Sequence, residues 1–458
     1  MREVSDSLGV VEVPDEALYG AQTQRAVDNF TISHRRMPER FIRNLARLKA
    51  AAARANRHCR ALDEQRAEAI EQAALSVAAG AHPEQFPVPV LQTGSGTSSN
   101  MNMNEVLARL AGATCPLEVH PNDHVNCSQS SNDVIPSCIQ ICALEQVQHE
   151  LLPALERLEA VIRKRAAELS GVVKTGRTHL MDAMPLSMGQ ELQAWAAQLA
   201  ECGQRLRECA PRLAQLPIGG SAVGTGVNVP AGFAARVAQE LGALTGVDFS
   251  LADSAFARMA GQDVALECSS HLRATAVVHT KIANDLRWMS SGPLAGLAEI
   301  ELEALQPGSS IMPGKVNPVL PEAVLMAAAQ VLGNDGSIAL AAQSGNFQLN
   351  VMLPLIADKL LDSLQLVAGA CGALERTIGG FSVNTRRLEE TLAANPILVT
   401  ALNRHIGYEQ AAHIAKRCFA ERRPVLDVAA EETGLPREEL AGLLDPRRLA
   451  HPQDPAGG

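Results

Sequence analysis

The residues best suited to chemistry lie in one loop, Gly308–Pro318, which reads Gly-Ser-Ser-Ile-Met-Pro-Gly-Lys-Val-Asn-Pro. The loop offers two hydroxyls, one lysine, one asparagine amide and several free backbone N–H groups. Because glycine lets a backbone bend closely around an anion, this composition predicts an anion site. Asn317 and Pro318 are the residue types of a helix cap and a first helical position, so the loop should end at a helix N-terminus, where the dipole also favours negative charge.

A phosphate-binding P-loop is the obvious competing interpretation, and the spacing excludes it. Five residues separate Gly308 from Gly314 where that motif has four, and Val316 stands where a serine or threonine must hold magnesium. An ordinary surface connection between helices stays open as an alternative.

Three other polar segments could supply donors or a proton-transfer group: Thr93–Asn100, His120–Asp133 and Lys174–Asp182. The first two also have the residue types of capped helix starts, and that interpretation stays open. His179 in the third segment should lie in a polar turn between helices. A histidine placed there suits general acid–base catalysis better than one on an apolar face.

No metal or cofactor is predicted. The ten cysteines contain no CxxC pair, so zinc ribbons and ordinary iron–sulfur spacings are unsupported, and buried free thiols are expected. His120 and His124 could be proposed as metal ligands, but Pro121 disfavours a shared helical face. No GxSxG motif is present, which argues against that type of serine hydrolase.

The elements that must position these loops are predicted to be long helices. From Val134 to about Leu169, apolar residues recur at steps of three and four, which gives one apolar face. Further long helices are predicted after Pro185, from about Ala257 to Ser290, from Pro318 to about Ser344, and after Pro354. No alternating strand pattern is evident in the middle of the chain, so the fold is predicted to be all-α, with a central bundle of long helices.

Three domains are predicted within this fold. Residues 1–132 should form an N-terminal domain of mixed helix and loop, residues 133–353 the central long-helix bundle, and residues 354–458 a small C-terminal helical domain. The last residues, from 451, have the composition of a disordered tail. Aromatic residues are only 3% of the 458, so aliphatic side chains with alanine between them must build the core.

Charge and composition restrict the partners. The net charge is −10 and basic residues are dispersed, which argues against nucleic acid. An anionic substrate would be repelled by the overall field, so its site must be built locally from lysine, amides and helix ends. The N-terminus lacks an apolar signal region and no apolar run is expected to reach the length that spans a membrane, so a reduced, cytoplasmic protein is expected.

Taken together, these segments resemble class II fumarases of the fumarase/aspartase superfamily. The similarity runs from Tyr19–Thr23 to Thr400–Asn403, and the motifs occur in the family's order: Gly94–Thr97, His120–Asp123, Ser130–Asp133, Gly176–His179 and Gly308–Pro318. The resemblance implies a cofactor-independent hydro-lyase that hydrates fumarate reversibly to L-malate through an aci-carboxylate intermediate. It also implies a small dicarboxylate substrate and a homotetramer whose active sites are each shared between three chains.

The resemblance further implies roles for individual residues. Ser309 is the base that takes the C3 proton, and His179 handles the leaving hydroxide through a water, oriented by Glu322. The substrate-binding residues are Ser95, Gly96, Thr97, Ser130, Ser131, Asn132, Thr178, Ser310, Lys315, Val316 and Asn317. A secondary anion site outside the chemistry is formed by His120, Pro121, Asn122 and Asp123.

Two departures from the family pattern stand out. A Phe-Glu-Ala-Leu stretch is replaced by Phe256–Met259, with Ala257 and Arg258, and Cys127 stands where many relatives have lysine. Neither replaced position is a substrate ligand in the family.

Two other functions remain open. The first is an aspartate ammonia-lyase, and the second is a non-catalytic protein that keeps the fold, as the lens crystallins of this superfamily do. Ser131 and His179 favour fumarase over aspartase, as does the stretch Asn346–Asn350, whereas Val319–Glu322 leans slightly toward aspartase.

Overall fold

The computed structural model describes residues 1–451, of which most are helical, and this confirms the predicted all-α class. The expected tail lies, from residue 452 onward, outside the described residues. The α-helices are α1 (Ala21–Asn29), α2 (Glu39–His58), α3 (Glu64–Ala78), α4 (Thr97–Gly112), α5 (Ser131–Gln146), α6 (Leu152–Glu168), α7 (Met188–Leu213), α8 (Phe233–Thr245), α9 (Ala255–Ala260), α10 (Asp263–Met289), α11 (Val319–Ala342), α12 (Leu353–Gly380), α13 (Thr385–Ala393), α14 (Asn403–Ile406), α15 (Tyr408–Glu421), α16 (Val425–Thr433), α17 (Arg437–Leu443) and α18 (Pro446–Ala450).

Short strands form five two-stranded sheets in the described part of the chain. The antiparallel pairs are β1 (Arg2–Asp6) with β2 (Gly9–Val13), β3 (Val173–Thr178) with β4 (Met181–Ser187), β7 (Ile300–Glu301) with β10 (Ser382–Val383), and β8 (Gly345–Asn346) with β9 (Leu349–Asn350). The parallel pair is β5 (Gln215–Leu216) with β6 (Ser250–Leu251).

The long helices lie close to their predicted positions, with one correction. α5, the π-helical turn Val147–Leu151 and α6 together cover the predicted segment from Val134 to Leu169. The single helix expected from Ala257 to Ser290 is instead two, α9 and α10. Gly261 follows α9 in an extended conformation (φ −85°, ψ 138°), and this interrupts the helical hydrogen bonds.

The chain divides into two compact units. Unit 1 comprises Met1–Pro153, Cys202–Ala276 and Ala327–Ala368, and unit 2 comprises Ala154–Glu201, Val277–Met326 and Gly369–Gly458. The division into domains 1–132, 133–353 and 354–458 stays a prediction.

The core of unit 1 is built around α2, which packs against α3, α5 and α8. Phe41, Leu45 and Leu48 are fully buried, and the alanines that follow, Ala50–Ala53, are also buried. Small side chains let neighbouring helices approach closely, so the prediction of an alanine-spaced core is confirmed here.

Polar contacts join the long helices within unit 1. Buried Asp335 of α11 accepts hydrogen bonds from Ser269 (2.7 Å) and Arg273 (2.7 Å) of α10. Asn334, one residue earlier, donates to Ser363 of α12 at 3.1 Å. A buried polar group that loses its partner is costly, so these contacts fix the register of the three helices.

In unit 2 the C-terminal helices surround their own apolar cluster. Leu402, Ile414, Val428 and Leu440 are fully buried in it.

Within residues 1–451, one helix, α11, is long and apolar enough to cross a membrane by length and composition, with a mean hydropathy of 1.3 over its most apolar stretch. The expectation that no apolar run reaches that length was therefore wrong. Only 33% of that apolar stretch is buried by the rest of the protein. Met326 and Leu340 are 69% and 65% exposed. The outer face of α11 therefore has apolar surface that no residue in the described part of the chain covers.

Candidate active site

The loop Gly308–Asn317 is closed at its base by two hydrogen bonds. The N–H of Gly308 donates to the Lys315 carbonyl at 2.8 Å, and Asn317 Nδ2 donates to the Gly308 carbonyl at 2.6 Å. A Cβ at position 308 would lie 2.3 Å from the Lys315 oxygen, so only glycine allows this closure. Helix α11 begins next to the loop, as predicted.

The predicted cap at Asn317 was wrong. The first backbone hydrogen bond of α11 runs from Glu322 N–H to the Pro318 carbonyl at 3.1 Å, so Pro318 occupies the capping position. The Asn317 amide is used to close the loop instead. Glu322 is half-buried in the first turn of α11.

The hydroxyl of Ser309 accepts two backbone N–H groups of its own loop. The donors are Ile311 at 3.2 Å and Met312 at 2.9 Å. Donors aimed at one oxygen favour negative charge on that oxygen, which is what a serine needs in order to act as a base. Ser309 and Lys315 also line an open recess of about 460 Å³.

The side chains around Ser309 are open to solvent. Ser310, Lys315 and Val316 are exposed, while Ser309 and Asn317 are half-buried. The loop therefore presents a hydroxyl, an ammonium and backbone groups to solvent, where an anion could reach them.

His179 lies in the turn of a β-hairpin rather than in a polar turn between helices, so that expectation was wrong. Strand β3 ends at Thr178 and β4 begins at Met181, which leaves His179 and Leu180 as a two-residue turn. Both have positive φ, 56° and 61°, a conformation that such turns require and that usually favours asparagine or glycine. Thr178 and His179 are exposed at the tip.

The sequence did not predict this hairpin, because a charged residue of β3 points inward and breaks the usual alternation of apolar and polar residues. Lys174 of β3 is buried, and its Nζ lies 2.7 Å from Glu299 and 2.9 Å from Glu191. Arg177 donates to Glu299 at 2.6 Å. The register also shifts between Thr175 and Arg177, which breaks the alternation of inward and outward residues. These ion pairs hold β3, the strand that leads into the turn with His179.

In unit 1, Gly94–Thr97 leads into the N-terminus of α4. Gly96 occupies the capping position with φ 74°, and Ser95 Oγ lies 2.9 Å from Thr97 Oγ1. A Cβ at Gly94 would lie 1.6 Å from the carbonyl oxygen of Val351, so the backbone approach there requires glycine. The two interpretations of this segment, a helix start and a loop rich in hydroxyl groups, therefore describe the same residues.

Ser130–Asn132 forms the start of α5, as the residue types predicted. Ser130 and Asp133 make a capping box, in which Asn132 N–H donates to Ser130 Oγ (3.2 Å) and Ser130 N–H donates to Asp133 (2.9 Å). Asp133 also accepts the N–H groups of Gly219 and Ser221 at 2.9 Å each. Burial raises the pKa of Asp133 to about 6, although these N–H donors favour its charged form.

The starts of α4 and α5 are joined by Asn100, which ends the predicted donor segment Thr93–Asn100 but was not predicted as a site residue. Asn100 Nδ2 donates to Ser131 Oγ at 3.2 Å and to Asn126 Oδ1 at 3.1 Å. Asn100, Asn102 and Asn104 are all buried in α4. Three asparagines within five residues of a helix that buries most of its side chains were the available signal, because buried amides must find partners.

His120–Asp123 lies at a π-helical turn in unit 1. The imidazoles of His120 and His124 each accept a backbone N–H group. His120 Nδ1 accepts the N–H of Asp123 (3.2 Å), and His124 Nδ1 accepts the N–H of His120 (2.7 Å). Burial lowers the pKa of His124. His120 and Pro121 line a recess of about 630 Å³ that also contains Arg2 and Arg109, while Asn122 Nδ2 lies 3.7 Å from Met101 Sδ.

Comparison with known proteins identifies the family. A family model described as Lyase matches residues 9–333, and one described as Fumarase C C-terminus matches residues 398–451. The chain is 57% identical to fumarate hydratase class II 2 of Pseudomonas aeruginosa over 97% of both chains. The chain belongs to the class II fumarases.

Solved structures agree with this assignment. The crystal structure of a class II fumarase from Schistosoma mansoni matches with a TM-score of 0.95 and 36% identity, over 99% of this chain and all of that one. A Brucella melitensis protein described as fumarate lyase:delta crystallin, bound to cobalt, matches with a TM-score of 0.93 and 41% identity over 98% and 100%. The predicted fold and the resemblance to the class II fumarases are thereby confirmed.

The two departures from the usual class II fumarase pattern occur at positions with local partners. Arg258 donates to Gln215 at 3.1 Å and lies 3.4 Å from Asp263, and Cys127 Sγ lies 3.8 Å from the Ala61 carbonyl. Both side chains therefore have interactions within unit 1.

The predicted site residues of this class II fumarase form two groups. In unit 1, Gly94–Thr97 and Ser130–Asn132 are brought together through Asn100. In unit 2, His179 lies at the hairpin turn and Ser309–Asn317 in the loop before α11. Among residues 1–451, no hydrogen bond or ion pair joins His179 to Glu322. The roles of all these residues stay predictions.

Proposed function

We propose that this protein catalyses the reversible hydration of fumarate to L-malate. The observation that carries the proposal is the Ser309 hydroxyl, which accepts two backbone N–H groups in a loop that also presents Lys315. The near full-length similarity to class II fumarate hydratases supports the same substrate.

In the proposed dehydration of malate, Ser309 Oγ takes the C3 proton. The charge that develops on the neighbouring carboxylate forms an aci-carboxylate, which Lys315, Ser310 and Asn317 stabilise together with the backbone at Val316. His179 delivers a proton to the departing hydroxide through a water, and Glu322 orients the imidazole. Hydration is the same sequence in reverse.

The remaining donors bind the substrate carboxylates. They are Ser95, Gly96, Thr97, Ser130, Ser131, Asn132 and Thr178. Several lie at the N-termini of α4 and α5, where helix dipoles favour an anion. A protein with a net charge of −10 needs such local donors to bind a dianion. His120–Asp123, beside Arg2 and Arg109, is proposed as a secondary anion site.

We expect fumarate to form from L-malate, and none from L-aspartate. The absorbance of fumarate with each substrate distinguishes the hydratase from an ammonia-lyase. If neither substrate yields fumarate, the protein is non-catalytic.

Because the proposed chemistry uses no metal or cofactor, activity should persist after prolonged chelation. Loss of activity on chelation, restored by added metal, would contradict this mechanism.

The proposed assembly is a homotetramer in which three chains contribute to each active site. The apolar outer face of α11, with Met326, Leu332 and Leu340 exposed, supports burial against other copies of the chain. Such burial also accounts for its membrane-like composition. A cytoplasmic location and a role in the tricarboxylic acid cycle follow from the same proposal.

Replacing Lys315 should impair both binding and catalysis. Lys315→Met removes an ammonium that contacts the substrate carboxylate and the developing charge, so we expect KM to rise and kcat to fall, each about tenfold or more. Lys315→Arg should rescue little, because a planar guanidinium is not a compact ammonium. Lys416→Met, at an exposed lysine of α15, is the matched control for initial-rate measurements. Unchanged kinetics in both Lys315 variants would mean that the loop does not close on substrate.

A further inference from the structure

A lysine is buried in α2, beneath the start of α5. Lys49 is only 1% exposed, and its Nζ donates to Asn126 Oδ1 (3.1 Å) and Gln129 Oε1 (3.0 Å). Burying an ammonium costs free energy unless polar groups replace its lost water. Here the replacements are two amide oxygens of the loop that leads to Ser131. The lysine therefore anchors that loop to α2.

Asn126 connects Lys49 to the proposed substrate site. Its Oδ1 receives three donors, Lys49 Nζ, Asn100 Nδ2 and Asn104 Nδ2, each at 3.1 Å. Asn100 Nδ2 also donates to Ser131 Oγ at 3.2 Å. A continuous series of polar contacts thus runs from the ammonium to the first residue of α5. Such networks fix their members strongly, because Lys49, Asn100, Asn104 and Ser131 are buried around the half-buried Asn126, and each lost bond leaves a polar group unpaired.

A second group of contacts ties the same loop to α2. Asn56 Nδ2 donates to the Cys127 carbonyl at 2.9 Å, and Ser128 Oγ donates to Asn56 Oδ1 at 2.6 Å. These bonds hold the backbone without contributing charge. The loop would therefore keep an anchor on α2 if Lys49 were replaced by a neutral side chain of similar length.

The charge of Lys49 is sensitive to pH near neutrality. Burial lowers the pKa of Lys49 to about 7, partly opposed by Asp133 and Cys138 of α5. Burial raises the pKa of Asp133 to about 6, and it raises the pKa of the Cys138 thiol, which stays neutral. The loop groups that accept from Lys49 are the amides of Asn126 and Gln129, and the α4 groups that donate to Asn126 are also amides. The ammonium is charged below about pH 7 and loses its charge as the pH rises through that value.

We propose that Lys49 is a positioning residue for dicarboxylate binding, which holds Asn126 and Asn100 in place and supplies buried positive charge behind Ser131 without touching the substrate. The inference rests on the proposed function of this site. In a protein with a net charge of −10, one buried cation beneath a dianion site offsets part of the repulsive field.

The first test is made at about pH 6, where Lys49 carries its charge, and compares the wild type with Lys49→Met, which keeps side-chain length and removes the charge. KM for fumarate should rise about tenfold, because removing a buried positive charge near the site weakens the attraction for a dianion, with kcat changed less than about threefold. Lys416→Met removes an exposed lysine and should behave as wild type. A KM that is the same in all three proteins overturns the proposal, as does a loss confined to kcat.

The second test measures the Kd of succinate by calorimetry, which needs no turnover and so separates this inference from the proposed reaction. The His179→Asn background removes that imidazole from the site. With Lys49 present, Kd should weaken about fivefold between about pH 6 and about pH 8, as most of the buried charge is lost. Lys49→Met in that background should show a smaller change. A pH-independent Kd with Lys49 present overturns the proposal, and this arm requires no Lys49 variant to fold.

Discussion

Ser309→Ala is expected to lower kcat by about 10³-fold or more, because the variant lacks the proposed base for the C3 proton. The hydroxyl is the acceptor for the N–H groups of Ile311 and Met312, so no other atom of the loop is poised in the same way to hold negative charge. Steady-state kinetics with L-malate and with fumarate measure the loss. Both directions should fall together, since the same proton is removed and returned.

A binding measurement separates loss of the base from loss of the loop. Ser309→Ala leaves the two bonds that close the loop through Gly308, so the Kd of succinate should change much less than kcat. Ser7→Ala, at an exposed serine in the N-terminal hairpin turn, is the control for handling and purity. A Ser309→Ala enzyme with full activity would place the base at another residue.

Mixing two inactive variants should restore activity if the active site is shared between chains. Ser309→Ala and His179→Asn chains would be denatured, mixed in equal amounts and refolded together. In random tetramers about a quarter of the sites should combine an intact Ser309 from one parent with an intact His179 from the other. A site built within one chain would stay inactive, because every chain carries one lesion.

A second mixture sharpens the same test. Wild-type chains refolded with the double variant Ser309→Ala/His179→Asn should give about a quarter of full activity for a shared site and about half for a self-contained one. Each parent refolded alone sets the baseline, and size-exclusion chromatography establishes that tetramers form. Mixed tetramers without activity above the parents in the first mixture, or with about half of full activity in the second, would argue for a site within one chain.

Local pattern was sufficient for much of the helical architecture. The apolar steps from Val134 to Leu169 predicted the α5–α6 segment, and Ser130 before Asn132 and Asp133 predicted the start of α5. These features depend on residues a few positions apart, where periodicity and capping act directly. The same is true of the loop before α11, whose glycines, lysine and serines indicate an anion site whatever surrounds them.

Local pattern failed where a distant partner changed the outcome. Strand β3 carries a buried Lys174, which its sequence alone would place on the surface, and Glu299 more than a hundred residues later neutralises it. Asn317 has the residue type of a cap, yet its amide bonds to Gly308 and Pro318 takes the capping position. In both cases a tertiary contact outweighed the local preference.

The sequence by itself determined the fold class, the long helices, the family and the loops that carry Ser309, His179 and Ser131. Only the tertiary structure decided that two N–H groups point at the Ser309 hydroxyl and that His179 lies in a strained hairpin turn. It alone placed Lys49 against Asn126, which lies 77 residues away along the chain. The physical reason is that helix formation depends on near neighbours, whereas the charge and position of a buried polar group depend on whichever residues the folded chain brings to it.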